Sequence, residues 1–205
     1  MIAVAHAPDS PSARARIGPN AITRVAEAMP RLAGAARTQE VFAAARLAHY
    51  LRTPPAAMVD ENEVIRLHRA LHDTLGRSLA CRVAAEAGTA TGDYLLAHRI
   101  PAPVTRLLKT LPAGIAARFL VVAIGRHAWT FAGSGTFAAR AGNPVRLAIA
   151  NNPLCRGAVA TDPLCDYYAA TFERLFRALV HPRATVTETA CEACGADACR
   201  FEIRW

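Results

Sequence analysis

The stretch Arg200-Phe201-Glu202-Ile203-Arg204-Trp205 alternates charged and large apolar side chains without a break. A period of two puts Phe201, Ile203 and Trp205 on one face and Arg200, Glu202 and Arg204 on the other, as in a strand with one side on a core and the other in water. Working outward, 145–150 alternates in the same way, with Leu147 and Ile149 together, and 185–189 is rich in β-branched residues. Between these strands the spacing predicts one helix over 163–180, with Leu164, Tyr168, Phe172, Leu175 and Leu179 as its buried stripe. Upstream, from Asn20 to about Leu111, the pattern is helical. Helices are predicted over 38–51, over 60–75 with Val64, Leu67, Leu71 and Leu75 on one face, and over 78–98, weakened by Gly88 and Gly92. Asp60, Glu61 and Glu63 suit the positive end of the second helix dipole. Pro101, Pro103 and Pro112 punctuate the chain before 113–127, the most apolar helix candidate and the one expected deepest in the core. Helices first and strands mostly later predict an α+β fold, a helical N-terminal half packed with a C-terminal antiparallel sheet. The expected organisation is a loose arm over 1–16, a helical region over 17–100 and a core over 101–205, the last two forming one compact domain.

Composition bounds the function. The chain has 205 residues, 53% of them hydrophobic, 20% charged and 6% aromatic, with a formal net charge of +8. That apolar content is too high for a disordered chain. The basic excess is almost all arginine, with Lys109 the only lysine. Nucleic-acid binding calls for a basic face with interleaved aromatics, and the aromatics are too few. An anionic ligand such as a carboxylated pigment suits the charge as well. No segment reaches the roughly 18 apolar residues of a membrane span, and Asp9, Arg14 and Arg16 interrupt any leader. The expected location is cytoplasmic, with contact at a membrane surface compatible, and there six cysteines are thiols or metal ligands rather than disulfides.

Cys191-Glu-Ala-Cys194-Gly-Ala-Asp-Ala-Cys199 joins two predicted strands, so a hairpin turned at Gly195 would bring Cys191 and Cys199 together. Thr161-Asp-Pro-Leu-Cys165 reads as a helix start, with Cys165 in the first turn, where the dipole favours a thiolate. These three sulfurs suit tetrahedral zinc, which takes four N or S ligands. His127 is the preferred fourth ligand, and Cys155 and Cys194 compete with it; buried free thiols filling core gaps would account for the same residues without a metal. Gly133-Ser134-Gly135 has half of a dinucleotide fingerprint and reads better as a turn. No flavin signature, P-loop or nucleophile elbow is present, and no catalytic residue is assigned. His68 and His72 share a helix face, which suits a metal or a pigment magnesium but more often marks a polar face; His98 is a lone candidate of the same kind.

The segments Cys165-Asp-Tyr-Tyr-Ala-Ala-Thr-Phe-Glu-Arg-Leu-Phe176, Glu188-Thr-Ala-Cys191-Glu-Ala-Cys194-Gly195 and Cys199-Arg-Phe-Glu-Ile203 resemble the vinyl-4-reductase (V4R) domain family. Asn152-Pro-Leu-Cys155 and Trp129-Thr-Phe-Ala-Gly-Ser-Gly-Thr-Phe137 narrow the likeness to its bacteriochlorophyll-biosynthesis branch, named for 4-vinyl reduction. The resemblance covers about residues 100–205. It implies an α+β fold related to small trafficking-complex subunits, with a helix-walled hydrophobic pocket. It also implies a structural zinc held by one histidine and three cysteines, which would correspond here to His127, Cys165, Cys191 and Cys199. The implied function is a tetrapyrrole-binding accessory or carrier protein of bacteriochlorophyll synthesis, taking divinyl protochlorophyllide or a related magnesium precursor. The alternatives are a 4-vinyl (8-vinyl) reductase and a small-molecule sensor or interaction module. Pigment-biosynthesis enzymes and a homodimer are the partners compatible with it, nucleic acid is not. A pigment site needs a large apolar cleft, and Phe119, Val122, Trp129 and Phe137, facing Tyr168 and Phe172, are the expected walls.

Overall fold

A computed structural model describes residues 3–5 and 15–205. The expected arm over 1–16 lies mainly outside the described residues. In chain order the elements are β1 (Ala3–Ala5), β2 (Arg16–Ile17), α1 (Asn20–Leu32), α2 (Gly34–Ala44), β3 (Val59–Asp60), α3 (Glu61–Leu75), α4 (Arg77–His98), α5 (Ala102–Thr110), α6 (Ala113–Arg126), α7 (Trp129–Ala132), β4 (Thr136–Arg140), β5 (Val145–Ala150), α8 (Asp166–Leu179), β6 (Thr185–Ala190) and β7 (Cys199–Arg204). Five strands form one antiparallel sheet in the order β1-β4-β5-β7-β6, and β2 pairs with β3 apart from it. The fold is α+β, as expected.

The alternation in β7 sets the sheet's orientation. Phe201 and Ile203 are fully buried and pair with Leu147 and Val145 of β5, while Arg200 and Arg204 face solvent. Against this inner face lies α8, which buries Tyr168, Phe172, Leu175 and Leu179 at the predicted spacing, together with Tyr167, Thr171 and Phe176. Behind α8 runs α4. Gly88 and Gly92, which weaken α4 as an isolated helix, are what allow this crossing: a Cβ on Gly88 would press into the Tyr167 carbonyl, and one on Gly92 would come within 2.7 Å of Arg174 Cβ. Thr171 Oγ1 donates to the Gly88 carbonyl at 2.9 Å, and the Thr91 and Tyr167 hydroxyls are 2.8 Å apart.

Four elements depart from the sequence expectation. The helix predicted over 38–51 is two pieces, α2 and a single 3-10 turn at Ala48–Leu51, because Arg46 takes a left-handed conformation at φ 59. α5 forms where prolines suggested punctuation; Pro101 and Pro103 sit at its start, where a missing N–H costs nothing. β4 forms after the Gly133-Ser134-Gly135 turn, pairing Phe137 with Ile149. α6 is buried on one side only: Ala116, Ala117, Leu120, Val121 and Ile124 face inward, while Ile115, Phe119 and Val122 are exposed.

Glu61 lies in the first turn of α3, as the dipole reading expects, and it is also buried and ties α3 to the turn before β4. It accepts from the Ser134 N–H at 2.8 Å and the Ser134 hydroxyl at 2.8 Å, and pairs with Arg156 at 3.0 Å. His68 is buried as well. Its Nε2 lies 3.3 Å from the Ala21 carbonyl, and its ring stands edge-on to Tyr167. Burial, with the neighbouring His72 second, lowers its pKa to about 4. The folded state therefore binds fewer protons than the unfolded chain between about pH 6.5 and 4. Stability contributed by neutral His68 is complete above that window and falls as the pH drops through it, by about 3 kcal/mol. Chemical denaturation of wild type and His68→Gln between pH 7 and pH 4 should show the variant losing less; parallel losses would exclude His68 as the source.

Candidate metal centre and apolar face

Three loops bring four sulfurs to one point. The chain leaves β5 through Asn151-Asn152-Pro153-Leu154 to Cys155. Asn151 takes φ 54, and Asn152, fully buried, folds its side chain back so that Oδ1 accepts from the Leu154 N–H at 2.9 Å. Glu192 clamps this turn from the β6–β7 loop, accepting from the Asn151 and Asn152 N–H groups at 2.6 and 2.7 Å. Cys191 follows β6, a short 3-10 turn ends at Gly195 with φ 87, and Cys199 opens β7. Cys165 is the residue immediately before α8, not inside its first turn as predicted. Arg77 holds the preceding segment out of the helix through the Pro163 carbonyl at 3.1 Å, and the Cys165 N–H donates to Glu188 at 2.8 Å instead.

Cys155, Cys165, Cys191 and Cys199 are all buried, and their Sγ atoms lie within 4.8 Å of one another. Cys199 Sγ is 3.4 Å from Cys155, 3.5 Å from Cys165 and 3.8 Å from Cys191. A tetrahedron with metal–sulfur bonds of ~2.3 Å has sulfur–sulfur edges of about 3.8 Å, so the set has the right size for a metal ion. Donors surround it: Asn152 Nδ2 is 3.2 Å from Cys165 Sγ and the Glu192 N–H nitrogen 3.4 Å from Cys199 Sγ. Such N–H groups stabilise thiolates and orient them. Hydrogen bonds from Cys155, Cys165 and Cys199 draw the Cys191 thiol far below its ordinary range, whereas bonds with its three neighbours and burial push Cys165 well above it. Metal binding needs the sulfurs as thiolates, so it would release their protons. Beside it, burial and then the negative Cys191 push the Glu188 carboxyl up to about 9.

His127 is not among the converging atoms. It caps the C-terminus of α6, exposed, with Nδ1 2.9 Å from the Ala123 carbonyl, and Cys155 stands in the fourth position instead. The reason is tertiary: the β5 exit loop is folded back by Asn152 and Glu192 onto the hairpin, while α6 ends on another side. Cys194 is exposed and Cys81 lies outside the four. His72 is partly buried and His98 is exposed against the Tyr94 ring.

The expected pigment walls divide. Phe137, Tyr168 and Phe172 are buried in an aromatic group completed by Phe201 and by Phe131, a residue the sequence reading passed over. Phe131 is central, with ring centroids 5.4 Å from Phe137, 5.9 Å from Tyr168 and 6.1 Å from Phe172, and its carbonyl accepts from the Tyr168 hydroxyl at 2.7 Å. Phe119, Val122 and Trp129 are on the outside, 61%, 47% and 54% exposed. The six residues therefore do not line one open cleft. Hollows of about 300 and 270 Å³ lie elsewhere, between α1 and α2 and on the outer face of the sheet.

Residues 145–205, which supply all four sulfurs and the strands that carry them, match the V4R domain. The whole chain belongs to the family of the bacteriochlorophyll synthase 23 kDa chains: it is 46% identical to the protein of that name from Cereibacter sphaeroides, over 94% of this chain and 92% of that one. Two crystal structures share the fold at low identity. An Fe(II) unliganded H-NOX protein from K. algicida matches with a TM-score of 0.59 at 10% identity, over 92% of this chain and 96% of that one. The phenol-responsive sensory domain of the transcription activator PoxR matches with a TM-score of 0.50 at 18% identity, over 71% and 74%.

Proposed function

We propose that this protein is an accessory or carrier protein of bacteriochlorophyll biosynthesis that binds a magnesium tetrapyrrole, divinyl protochlorophyllide or a near precursor, on the outer face of α6 and α7. The observation that carries the reading is the trio Phe119, Val122 and Trp129, large apolar side chains left in water on two successive helices, in a chain nearly half identical to a bacteriochlorophyll synthase chain. Leaving such groups exposed costs solubility and is retained where something covers them. A flat macrocycle has wide apolar faces, and Phe119 and Trp129 offer rings to stack on them. Phe131, in the same helix as Trp129, packs against Phe137, Tyr168 and Phe172 and so anchors α7 to the core.

Zinc is the ion proposed for Cys155, Cys165, Cys191 and Cys199, since a buried all-thiolate set suits it. Four protein ligands make a closed site, so the ion's contribution would be to cross-link the β5 exit, the α8 start and the β6–β7 hairpin. Purified protein titrated with the magnesium pigment should show a saturable change in the pigment's own absorption and fluorescence at one pigment per chain. Phe119→Asp with Trp129→Ser should weaken binding about ten- to a hundredfold, the range for losing one or two central aromatic contacts. Turnover of the divinyl pigment with a nicotinamide or flavin donor would replace this reading with the 4-vinyl reductase.

A further inference from the structure

The net charge of the chain is not spread along it. No Asp or Glu occurs in the 68 residues between Asp93 and Asp162, and that stretch holds eight of the 24 cationic side chains; the other sixteen are matched by sixteen acidic residues. The whole formal +8 therefore belongs to the segment that contains α5, α6 and α7. Five of its cations, Arg99, Arg106, Lys109, Arg118 and Arg126, are exposed on or beside α5 and α6 and have no ion-pair partner among the described residues.

The same helices carry nearly all of the misplaced apolar surface. Of the seven large apolar side chains exposed among the described residues, six are Val104, Leu107, Ile115, Phe119, Val122 and Trp129. Ile115, Phe119 and Val122 recur at i, i+4 and i+7, one stripe of α6, and α5 joins α6 through Leu111 and Pro112 alone. None of the six lines either hollow. Bulky apolar groups standing on helix surfaces, edged by long cationic chains and free of acids, are the composition of a helix that lies in the headgroup region of an anionic bilayer. Lys and Arg there keep their stems in the apolar layer and their charges at the phosphates. No helix among the described residues is long and apolar enough to cross a membrane, so the contact would be one of lying on the surface.

We infer that the α5–α7 face is a docking surface for an anionic lipid bilayer. The inference rests on the pigment reading only for its purpose, since a lipophilic macrocycle would be collected or released at such a surface; the docking itself needs no pigment. An acidic protein surface is the competing occupant; bulky apolar side chains spread over successive helix surfaces beside unpaired cations favour lipid.

The test is flotation of the purified, pigment-free protein with vesicles of phosphatidylcholine alone or mixed with phosphatidylglycerol. The protein should float with the mixed vesicles, far less with phosphatidylcholine alone, and should be released by salt. Arg106→Gln with Lys109→Gln should lower partitioning about twenty-five-fold, at about fivefold per cation near the surface. Arg37→Gln with Arg52→Gln, which removes the same charge from exposed positions elsewhere, should change it little. Val104→Asp with Leu107→Asp, outside the proposed pigment contacts, should abolish flotation and leave the pigment titration unchanged, which also shows that the variant folds. No flotation with either vesicle, equal loss in both charge-removing pairs, or retention of an acidic protein without vesicle binding would overturn the inference. Flotation without pigment binding would overturn the pigment reading alone, and pigment binding without flotation would overturn this inference alone.

Discussion

Cys199→Ser should abolish binding of the proposed zinc ion and lower stability by about 4 kcal/mol or more, because the unfolded chain has no such site and metal binding then adds to the folding free energy. For a chain of this length that corresponds to a fall in Tm of roughly 8–16 °C. Cys199 is the informative choice: its Sγ is within 3.8 Å of each of the other three and it opens β7, which lies between β5 and β6 in the sheet. Serine keeps the shape but offers a poor ligand, so three buried thiols remain without their cross-link. Cys194→Ser, at an exposed position outside the cluster, should stay within about 0.5 kcal/mol of wild type. Elemental analysis should give one zinc per chain for wild type and Cys194→Ser and none for Cys199→Ser, and a strong chelator should bring wild type toward the variant's melting temperature. A metal-free wild-type protein whose melt ignores chelator would remove zinc from the account.

Gly88→Ala should destabilise the protein by about 3 kcal/mol, against the gain of ~1 kcal/mol that alanine normally brings to a helix interior. The added methyl group would meet the Tyr167 carbonyl and lie 2.9 Å from its carbon, atoms of backbone that cannot swing aside. α4 and α8 would have to part, straining the Thr171 bond to the Gly88 carbonyl and the Thr91–Tyr167 bond, each worth about 1 kcal/mol. Gly114→Ala in α6, where nothing lies within 4 Å of the new atom, should be neutral or stabilise by up to about 1 kcal/mol. Thermal or denaturant unfolding of the pair decides the matter: a Gly88→Ala protein as stable as wild type would mean that the two helices do not cross at this distance.

Gly88 also shows why sequence reading stops where it does. From its own helix it can only appear as a weak point, because the residue that requires it, Tyr167, is 79 positions away. That α8 starts at Asp166 and not at residue 163 has a related reason: Pro163 suits a first turn, but Arg77 and Glu188 hold the segment differently from outside. Asn152 and Glu192 carried a faint local signal in Asn-Pro after a strand and in an acid between two cysteines. Their shared task, folding the β5 exit onto the hairpin, spans 40 residues.

By itself the sequence determined the direction of side chains within each element: the inward Phe201 and Ile203, the α8 stripe, and Cys191 facing Cys199 across one hairpin. Those follow from the periods of strand and helix and from a turn at Gly195, which are properties of neighbouring residues. Packing sets the rest: Cys155 and not His127 joins the other three sulfurs, and Phe119, Val122 and Trp129 are exposed while Phe137, Tyr168 and Phe172 are buried. Both outcomes depend on how elements far apart in the chain pack against one another. Hydrophobic periodicity says that a residue seeks cover, and packing decides what covers it, whether its own core or something outside the chain.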